Sequence, residues 1–171
     1  MAAGAALEGS KDFAKQFMVK NNIPTARYQS FTAETIEEGY RFLEQLQAPY
    51  VLKADGLAAG KGVVIVETLT EAEEALKDML LDAKFGEGKV VIEECLVGPE
   101  FSLMCFVNGE SVYPMPVAQD HKRAYNGDKG PNTGGMRAYT ELPFITDEDI
   151  DYAMNNIMRR TADAMVEEDA S

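Results

Sequence analysis

The sequence predicts an α+β fold, in which amphipathic helices and short strands follow one another along a chain of 171 residues. Several segments carry apolar residues at the spacing of one helix face. Between them lie short apolar runs bounded by glycine, proline or asparagine, which is typical of strands. Because the strands come in neighbouring groups rather than in strict alternation with helices, the pattern favours α+β over α/β.

Three helices are predicted in the first half of the chain, each from an apolar stripe. Ser10 is the predicted N-cap of a helix over residues 10–20. A second helix is predicted over residues 34–46, although a glycine weakens it slightly. The third follows Thr70-Glu71-Ala72-Glu73, a capping-box pattern that opens a helix.

Strands are predicted where apolar runs meet turn signals. Asn108-Gly109 is a strong hairpin signal and joins two of the runs. Residues 119–140 hold many glycines, prolines and asparagines with little periodicity, so a long loop is predicted there. A last helix, over about 147–168, is predicted to open at Thr146. The predicted extended or strand segments are 23–31, 50–54, 62–67, 89–94, 101–107 and 112–117.

Charge is distributed unevenly along the chain. The formal net charge of −13 argues against a nucleic-acid partner, which needs a basic face. Acidic residues concentrate in residues 141–171, whereas residues 53–62 and residues 119–137 carry more bases than acids. These two glycine-rich segments are therefore where anionic small molecules are expected to bind.

Several other classes of protein are disfavoured by composition. Hydrophobic content of 46% and charged content of 26% are typical of a soluble globular chain, and no apolar stretch approaches the length of a membrane span. The N-terminus lacks the basic region of a signal peptide, so a cytoplasmic location is expected. Cys95 and Cys105 are then expected to be reduced, and a single His disfavours a Cys/His metal site.

A glycine-rich loop, Lys53-Ala54-Asp55-Gly56-Leu57-Ala58-Ala59-Gly60-Lys61-Gly62, separates two of the predicted strands. Glycines let a backbone approach a polyphosphate closely, and lysines supply point charges for phosphate oxygens. The loop lacks the spacing and the Ser or Thr of a Walker A motif. Two interpretations remain: a loop that covers phosphates, or an ordinary hairpin loop with solvated lysines.

Three further segments have the chemistry of a ligand site. Strand-end groups in Glu93-Glu94-Cys95-Leu96 could bind an adenine edge, and Glu100 could accept hydrogen bonds from ribose hydroxyls. Gln119-Asp120-His121-Lys122-Arg123 is the densest polar cluster, in which His121 is either a base or a solvated residue. Gly130-Pro131-Asn132-Thr133-Gly134-Gly135-Met136 is either an anion-binding loop or a plain surface turn.

Taken together with Leu7-Glu8-Gly9-Ser10-Lys11, these four segments closely resemble phosphoribosylamine–glycine ligase, an ATP-grasp enzyme of purine biosynthesis. The resemblance covers the chain to about Phe144 and implies an ATP-grasp fold. It implies that ATP phosphorylates glycine, that 5-phosphoribosylamine attacks the acyl phosphate, and that glycinamide ribonucleotide, ADP and phosphate are released. It also implies Mg²⁺ or Mn²⁺ as the metal, no nucleic-acid or membrane partner, and a monomeric full enzyme.

The resemblance also implies roles for individual residues. Candidates for a catalytic role are Lys53 and Arg123. The implied ATP-binding residues are Lys11, Lys53, Asp55, Gly56, Gly60, Lys61, Gly62, Glu93, Glu94, Cys95, Leu96 and Glu100. The implied substrate-binding residues are Asp120, His121, Lys122, Arg123, Asp128, Gly130, Pro131, Asn132, Thr133, Gly134 and Gly135.

The resemblance further implies how the chain is organised. Residues 1–22 are expected to form a helix of the central subdomain, residues 23–91 the lid subdomain, and residues 92–171 part of the central subdomain. Arg137 departs from the family, which usually has Gly there. Family members also have a preceding domain and a following segment with the metal ligands, so this chain is expected to be a fragment without a metal site.

Three functions therefore stay open at the level of sequence. The first is this ligase, with the isolated chain binding nucleotide weakly and not catalysing ligation. The second is another ATP-grasp carboxylate–amine ligase with a different acid and amine. The third is a non-catalytic nucleotide-binding remnant.

Overall fold

A computed structural model describes residues 2–56, 62–81, 88–109, 111–120, 123–125, 129–132, 138–139 and 142–169. The chain divides into two compact units, Met1–Val97 and Gly98–Ser171. Residues 1–22 thus group with the residues that follow them, and the assignment of lid and central subdomains stays a prediction. No helix in the described part of the chain has the length and apolar character that crossing a membrane requires.

The first unit contains a four-stranded antiparallel sheet with helices on its two faces. Along this sheet the strands lie in the order β1, β4, β2, β3, so β4 and β2 are central. The helices are α1 (Ala2–Gly9), α2 (Lys11–Lys20), α3 (Ile36–Leu43) and α4 (Leu69–Leu81), and a 3-10 turn spans Ala33–Thr35. The strands are β1 (Tyr28–Thr32), β2 (Tyr50–Ala54), β3 (Val63–Val66) and β4 (Lys89–Glu94).

Alternation along the central strands separates an apolar face of the sheet from a charged face. On the apolar face, Leu52 and Ile92 are opposite each other in register and are fully buried against α3 and α4. On the other face, Val51 is opposite Glu93, and Lys53 is opposite Val91. This charged face contacts α2, whose buried residues include Asp12 and Lys15.

Most predicted elements of the first unit are confirmed, with shifts at their ends. Ser10 caps α2, because its Oγ accepts from the Phe13 N–H at 3.1 Å. The capping box of α4 is Thr68 with Glu71, not Thr70 with Glu73, because the Glu71 carboxylate accepts from both the N–H and the hydroxyl of Thr68. The pattern fits either pair in sequence, so only the observed hydrogen bonds fix the helix start.

Two helix boundaries also differ from the prediction. Helix α1 lies before the helix that the apolar pattern predicts over residues 10–20, and it falls within residues 1–22, which the resemblance implies to be helical; its alanine-rich sequence has high helix propensity. Helix α3 ends at Leu43 rather than at residue 46, and the chain leaves it through turn hydrogen bonds such as Leu46 N–H to the Leu43 carbonyl.

The second unit begins with the hairpin that Asn108-Gly109 predicts. Gly109 adopts a φ of +58°, which is the left-handed region that such turns need. The two strands pair in register, with Val107 opposite Val112. Strand β5 spans Cys105–Asn108 and β6 spans Ser111–Pro114.

The long loop predicted over residues 119–140 is wrong, because the segment contains two nested strand pairs. Strand β7 (Gln119–Asp120) pairs with β10 (Ala138–Tyr139), and β8 (Arg123–Tyr125) pairs with β9 (Lys129–Asn132). Strands this short give too little periodicity to be recognised in sequence. Three of the residues whose type predicts a loop, Gly130, Pro131 and Asn132, lie within β9 instead.

The last predicted helix is present but is interrupted. Thr146 opens it through a capping box with Asp149, as its position predicts. Helix α5 (Asp147–Ala153) continues through a π-helical segment (Met154–Met158) into α6 (Arg159–Asp169). Met154 and Ala162 pack with Val112 of the hairpin in a small apolar cluster.

Candidate functional site

Lys15, Glu93 and Lys53 form a charged triad on the face of the sheet that α2 contacts. Glu93 lies on the central strand β4, and each of its carboxylate oxygens pairs with one lysine. The Lys53 Nζ is 3.0 Å from Oε1, and the Lys15 Nζ is 3.0 Å from Oε2. The side chains of Glu93 and Lys15 are 8% and 9% exposed, whereas that of Lys53 is 30% exposed. Pairing makes the buried charges tolerable, and Lys53 still reaches the surface.

Lys15 is anchored at every donor of its ammonium group. Besides Glu93, its Nζ donates to the Thr25 Oγ1 at 2.8 Å and to the Ala26 carbonyl at 3.3 Å. Its Nζ also lies 5.5 Å from the centroid of the Tyr28 ring. An ammonium has three N–H donors, so these contacts leave Lys15 no donor for a ligand.

Asp12 forms a second ion pair on the charged face. Its Oδ2 is 2.7 Å from the Lys89 Nζ, and the Ser30 hydroxyl and Gln16 amide also donate to its carboxylate. Burial raises the pKa of Asp12, but the hydrogen bonds from Lys89, Ser30 and Gln16 outweigh burial and hold the pKa below its usual value. The same contact with Asp12 raises the pKa of Lys89.

Asp55 is the residue of the glycine-rich loop that directly follows β2, and it lies against the N-terminus of α2. Its carboxylate accepts from the Ser10 hydroxyl at 3.0 and 3.1 Å and from the Asp12 N–H at 3.1 Å. Lys11 Nζ donates to the two main-chain carbonyls that flank Asp55, at 3.0 and 2.7 Å. Negative charge is stabilised at a helix N-terminus, so these contacts hold the start of the loop against α2.

Glycines allow the loop to leave and rejoin the sheet. Gly56 has a φ of +84°, a left-handed conformation that favours glycine. The Gly62 carbonyl accepts from the Ala54 N–H at 2.7 Å, which closes the loop where β3 begins. Residues 57–61 lie outside the described residues, and with them the predicted site residues Gly60 and Lys61.

The end of β4 places the predicted adenine-binding residues next to the triad. Glu94 is tied to the start of the sheet, since its carboxylate accepts from the Arg27 N–H at 2.8 Å and its own N–H donates to the Arg27 carbonyl at 2.9 Å. Cys95 is half-buried and Leu96 is 73% exposed. An exposed apolar side chain beside a rigid strand end is a surface on which an aromatic ring can pack.

The predicted site residues of the second unit are described only in part. Glu100 is exposed. Asp120 ends β7, Arg123 begins β8, and Gly130, Pro131 and Asn132 lie in β9. The remaining predicted residues, with Arg137, lie outside the described residues: His121, Lys122, Asp128, Thr133, Gly134 and Gly135.

Sequence reasoning missed three charged residues on the charged face of the sheet: Asp12, Lys15 and Lys89. Asp12 and Lys15 are three residues apart, which puts them on one side of a helix. Opposite charges at that spacing are equally typical of a solvent-facing helix surface, so the signal does not distinguish burial from exposure. Lys89 has no local signal, because its partner Asp12 is 77 residues away.

Among the residues that the structure describes, no three or more His, Cys, Asp and Glu side chains group in a way that could hold a metal ion. The first unit offers cationic donors on the charged face. Lys53 offers a partly exposed ammonium at the edge of a rigid sheet, and a glycine-rich segment begins two residues later. Such a set can bind and neutralise an anion.

The chain is similar to curated proteins named phosphoribosylamine–glycine ligase. It is 57% identical to the one from Listeria innocua over 170 residues, which cover 98% of this chain and 40% of that protein. It is 55% identical to the one from Streptococcus pyogenes serotype M6, covering 97% of this chain and 39% of that protein. The chain therefore spans about 40% of the length of these relatives.

Solved structures agree with the fold. Phosphoribosylamine–glycine ligase from Thermotoga maritima superposes with a TM-score of 0.80 and 38% identity, covering 95% of this chain and 41% of that one. D-alanyl-alanine synthetase A from Vibrio cholerae has a TM-score of 0.73 at 14% identity, covering 94% of this chain and 49% of that one. The second likeness shows the fold alone, whereas the match of residues 9–171 to an ATP-grasp domain family confirms the ATP-grasp prediction.

One family profile covers nearly all of the chain. Residues 9–171 match the family described as phosphoribosylglycinamide synthetase, ATP-grasp (A) domain. The match includes both the charged face of the first unit and the nested strands of the second. The chain belongs to the phosphoribosylglycinamide synthetase ATP-grasp (A) domain family.

Proposed function

We propose that this chain supplies the ATP-binding part of a phosphoribosylamine–glycine ligase. In this reaction a glycine carboxylate oxygen attacks the γ-phosphorus of ATP and ADP leaves. The amine of 5-phosphoribosylamine then attacks the carbonyl carbon of glycyl phosphate, phosphate leaves, and the nitrogen loses a proton to give glycinamide ribonucleotide. Because the chain spans about 40% of its relatives, the whole reaction is part of the proposal.

The observation that carries the proposal is the position of the Lys53 amine. It is held 3.0 Å from the Glu93 carboxylate and stays partly exposed beside the start of the glycine-rich loop. Glu94, which follows Glu93, begins the strand end at which the adenine is proposed to bind. The paired strands β2 and β4 thus connect the proposed phosphate-binding cation, Lys53, with the proposed adenine-binding strand end at Glu94. Positioning of this kind supplies much of the catalysis in phosphoryl transfer.

The other proposed roles extend along both units. Lys11, Asp55 and the residues of the glycine-rich loop cover the phosphates, while Glu100 accepts from the ribose. Residues 120–123 and 128–135 face glycine, 5-phosphoribosylamine and the transferred phosphate, with Arg123 as a second candidate for charge stabilisation. Lys11 already donates to two main-chain carbonyls around Asp55, and because an ammonium has three N–H donors, these two contacts do not prevent it from contacting phosphate.

The proposed enzyme uses a divalent metal, Mg²⁺ or Mn²⁺, to neutralise the phosphates. The described residues present no cluster of His, Cys, Asp and Glu that fits such an ion. A cytoplasmic location and a monomeric full enzyme complete the proposal. For the isolated 171-residue chain we expect weak ATP binding and no ligation, and normal turnover by the purified chain would contradict that expectation.

Isothermal titration of the purified chain with ATP and Mg²⁺ tests the proposal. We expect measurable binding that Lys53→Met weakens about tenfold or more, because a charge-assisted contact with phosphate is lost. Lys20→Met is the matched control, since Lys20 is an exposed lysine at the end of α2. Equal affinity in wild type and Lys53→Met, or no binding by a folded wild-type chain, would contradict the proposal.

A further inference from the structure

Lys15 stands out as a buried cation to which the proposed reaction gives no role. It is one of three buried polar or charged residues among those described, and the other two, Asp12 and Glu93, are the acids of the same face. Burying an ammonium is costly unless it is paired and hydrogen-bonded. Its contacts with Glu93, Thr25 and Ala26 meet that requirement, yet an apolar side chain would fill the same space without the cost.

The charge balance of the triad gives Lys15 a purpose. Two lysines share one carboxylate, so the triad carries a net charge of +1, and the exposure of the three side chains puts the accessible part of that charge on Lys53. Without Lys15, Glu93 and Lys53 are a neutral pair. A neutral pair attracts a phosphate much less strongly than a net cation does, particularly where solvent screening is reduced.

The geometry adds a second effect of Lys15. Its contacts from α2 to Thr25, Ala26 and Glu93 fix the Oε2 side of the carboxylate. The other oxygen, Oε1, is thereby aimed at Lys53. Lys15 has no donor left for a ligand, so any influence on nucleotide must pass through Glu93 and Lys53.

We infer that Lys15 is a positioning residue for nucleotide phosphate: it offsets the charge of Glu93 and orients it, so that the Lys53 ammonium is held in place yet keeps its positive charge for the phosphates. The inference rests on the proposed function, because it requires that Lys53 contact phosphate. It predicts that substituting Lys15 weakens the affinity for ligands that carry phosphates and leaves the affinity for ligands without phosphates unchanged.

The test measures affinities for ATP and for adenosine in four forms of the full 171-residue chain: wild type, Lys15→Met, Lys53→Met and the double variant. Lys15→Met is expected to weaken the affinity for ATP about threefold to tenfold and to leave the affinity for adenosine unchanged. In the Lys53→Met background, Lys15→Met is expected to weaken ATP binding by a smaller factor than it does in wild type, because the contact of the Lys53 ammonium with phosphate is already lost and only the charge of Glu93 remains. Lys15→Arg, which restores the charge, is expected to recover part of the loss.

Lys20→Met is again the matched control, because it removes a lysine from the same helix at an exposed position. Equal weakening of ATP and adenosine by Lys15→Met would mean a merely structural role and would overturn the inference. So would an unchanged ATP affinity, or a full additional loss in the double variant. The proposed function fails in a different way, namely when wild type does not bind ATP or Lys53→Met has no effect, and that result overturns the inference as well.

If Lys15→Met fails to fold, Glu93→Gln with Lys15 intact gives a second route to the same answer. It removes the charge that Lys15 offsets and preserves the shape of the side chain. The inference then predicts that ATP binds at least as tightly relative to adenosine as in wild type, because both lysines keep their charge. A selective loss of ATP affinity would overturn it.

Discussion

The two faces of the four-stranded sheet differ in how they are held together and in what they can do. The apolar face packs Leu52, Ile92 and Phe31 against α3 and α4. The charged face pairs Glu93 and Lys89 with polar residues of α2, and Lys53 with Glu93. Burial of apolar area stabilises the first face without direction, whereas the second depends on a few directed contacts. Stability on the apolar face therefore depends on the area that is buried, whereas stability on the charged face depends on single partners, because a buried charge that loses its partner is costly.

The largest effect is expected from Glu93→Leu on the charged face. Removing this carboxylate leaves Lys15 buried without its counter-charge, and breaking a buried ion pair in this way costs about 3–5 kcal/mol of unfolding free energy. The measurement is chemical denaturation of the purified variant. Glu93→Leu combined with Lys15→Met is the matched control, and it is expected to recover most of the loss. A cost below about 1 kcal/mol for Glu93→Leu would mean that water screens the charged face more than the burial of its side chains indicates.

Leu52→Ala probes the apolar face, and we expect it to cost about 2–5 kcal/mol through lost burial and a cavity. Leu52 is fully buried, whereas Ile65 on the edge strand β3 is 61% exposed. Ile65→Ala is therefore the matched control, with an expected cost below about 1 kcal/mol. Denaturant midpoints measure both. A similar cost for the two variants would contradict the assignment of the core to this face.

The sequence predicts the apolar face well and the charged face poorly, and the reason is physical. Local apolar runs predict the strands at residues 50–54 and 89–94. The signal for the hairpin, Asn108-Gly109, is equally local. The contacts of Lys15 with Glu93 and of Lys89 with Asp12 join residues far apart in the chain, so no local pattern specifies them. The resemblance implies site residues such as Lys53 without their partners, and their roles stay predictions.

Acid is expected to weaken the charged face before it weakens the apolar face. The pKa of Asp12 is lower in the folded protein than its ordinary value of about 3.9. Its contribution to stability is therefore fully present above about pH 4 and is lost as pH falls through the lowered folded pKa. Asp12→Asn is expected to be less stable at neutral pH, by about 1–3 kcal/mol, and to lose less stability between about pH 4 and pH 2.

Unfolding free energies measured from pH 7 to pH 2 check this prediction. Asp163→Asn, at an exposed position of α6, is the control and should follow wild type closely. Parallel curves for wild type and Asp12→Asn would show that Asp12 binds protons equally in the folded and unfolded states, against the account of this face.

The smallest expected effect concerns the helix that covers the apolar face. Thr68→Ala removes the hydroxyl that accepts from the Glu71 N–H and donates to the Glu71 carboxylate in the capping box of α4, and it should cost about 1 kcal/mol. Thr70→Ala, at the position that the sequence pattern favours equally, should change stability by less than about 0.5 kcal/mol, because Thr70 is exposed within the first turn. Thermal melts of the two variants distinguish capping by Thr68 from capping by Thr70. A larger loss of stability for Thr70→Ala would support the helix start that the sequence predicts.

The central claim is that the charged face, together with the end of β4, binds the nucleotide. Amide chemical-shift mapping of the labelled chain, with a non-hydrolysable ATP analogue and with adenosine, tests it most directly. We expect adenosine to perturb residues 94–96, and the ATP analogue to perturb these and also Lys53, Asp55 and Glu93. Perturbations confined to the apolar face or to the second unit, with Lys53 and residues 94–96 unmoved, would contradict the claim.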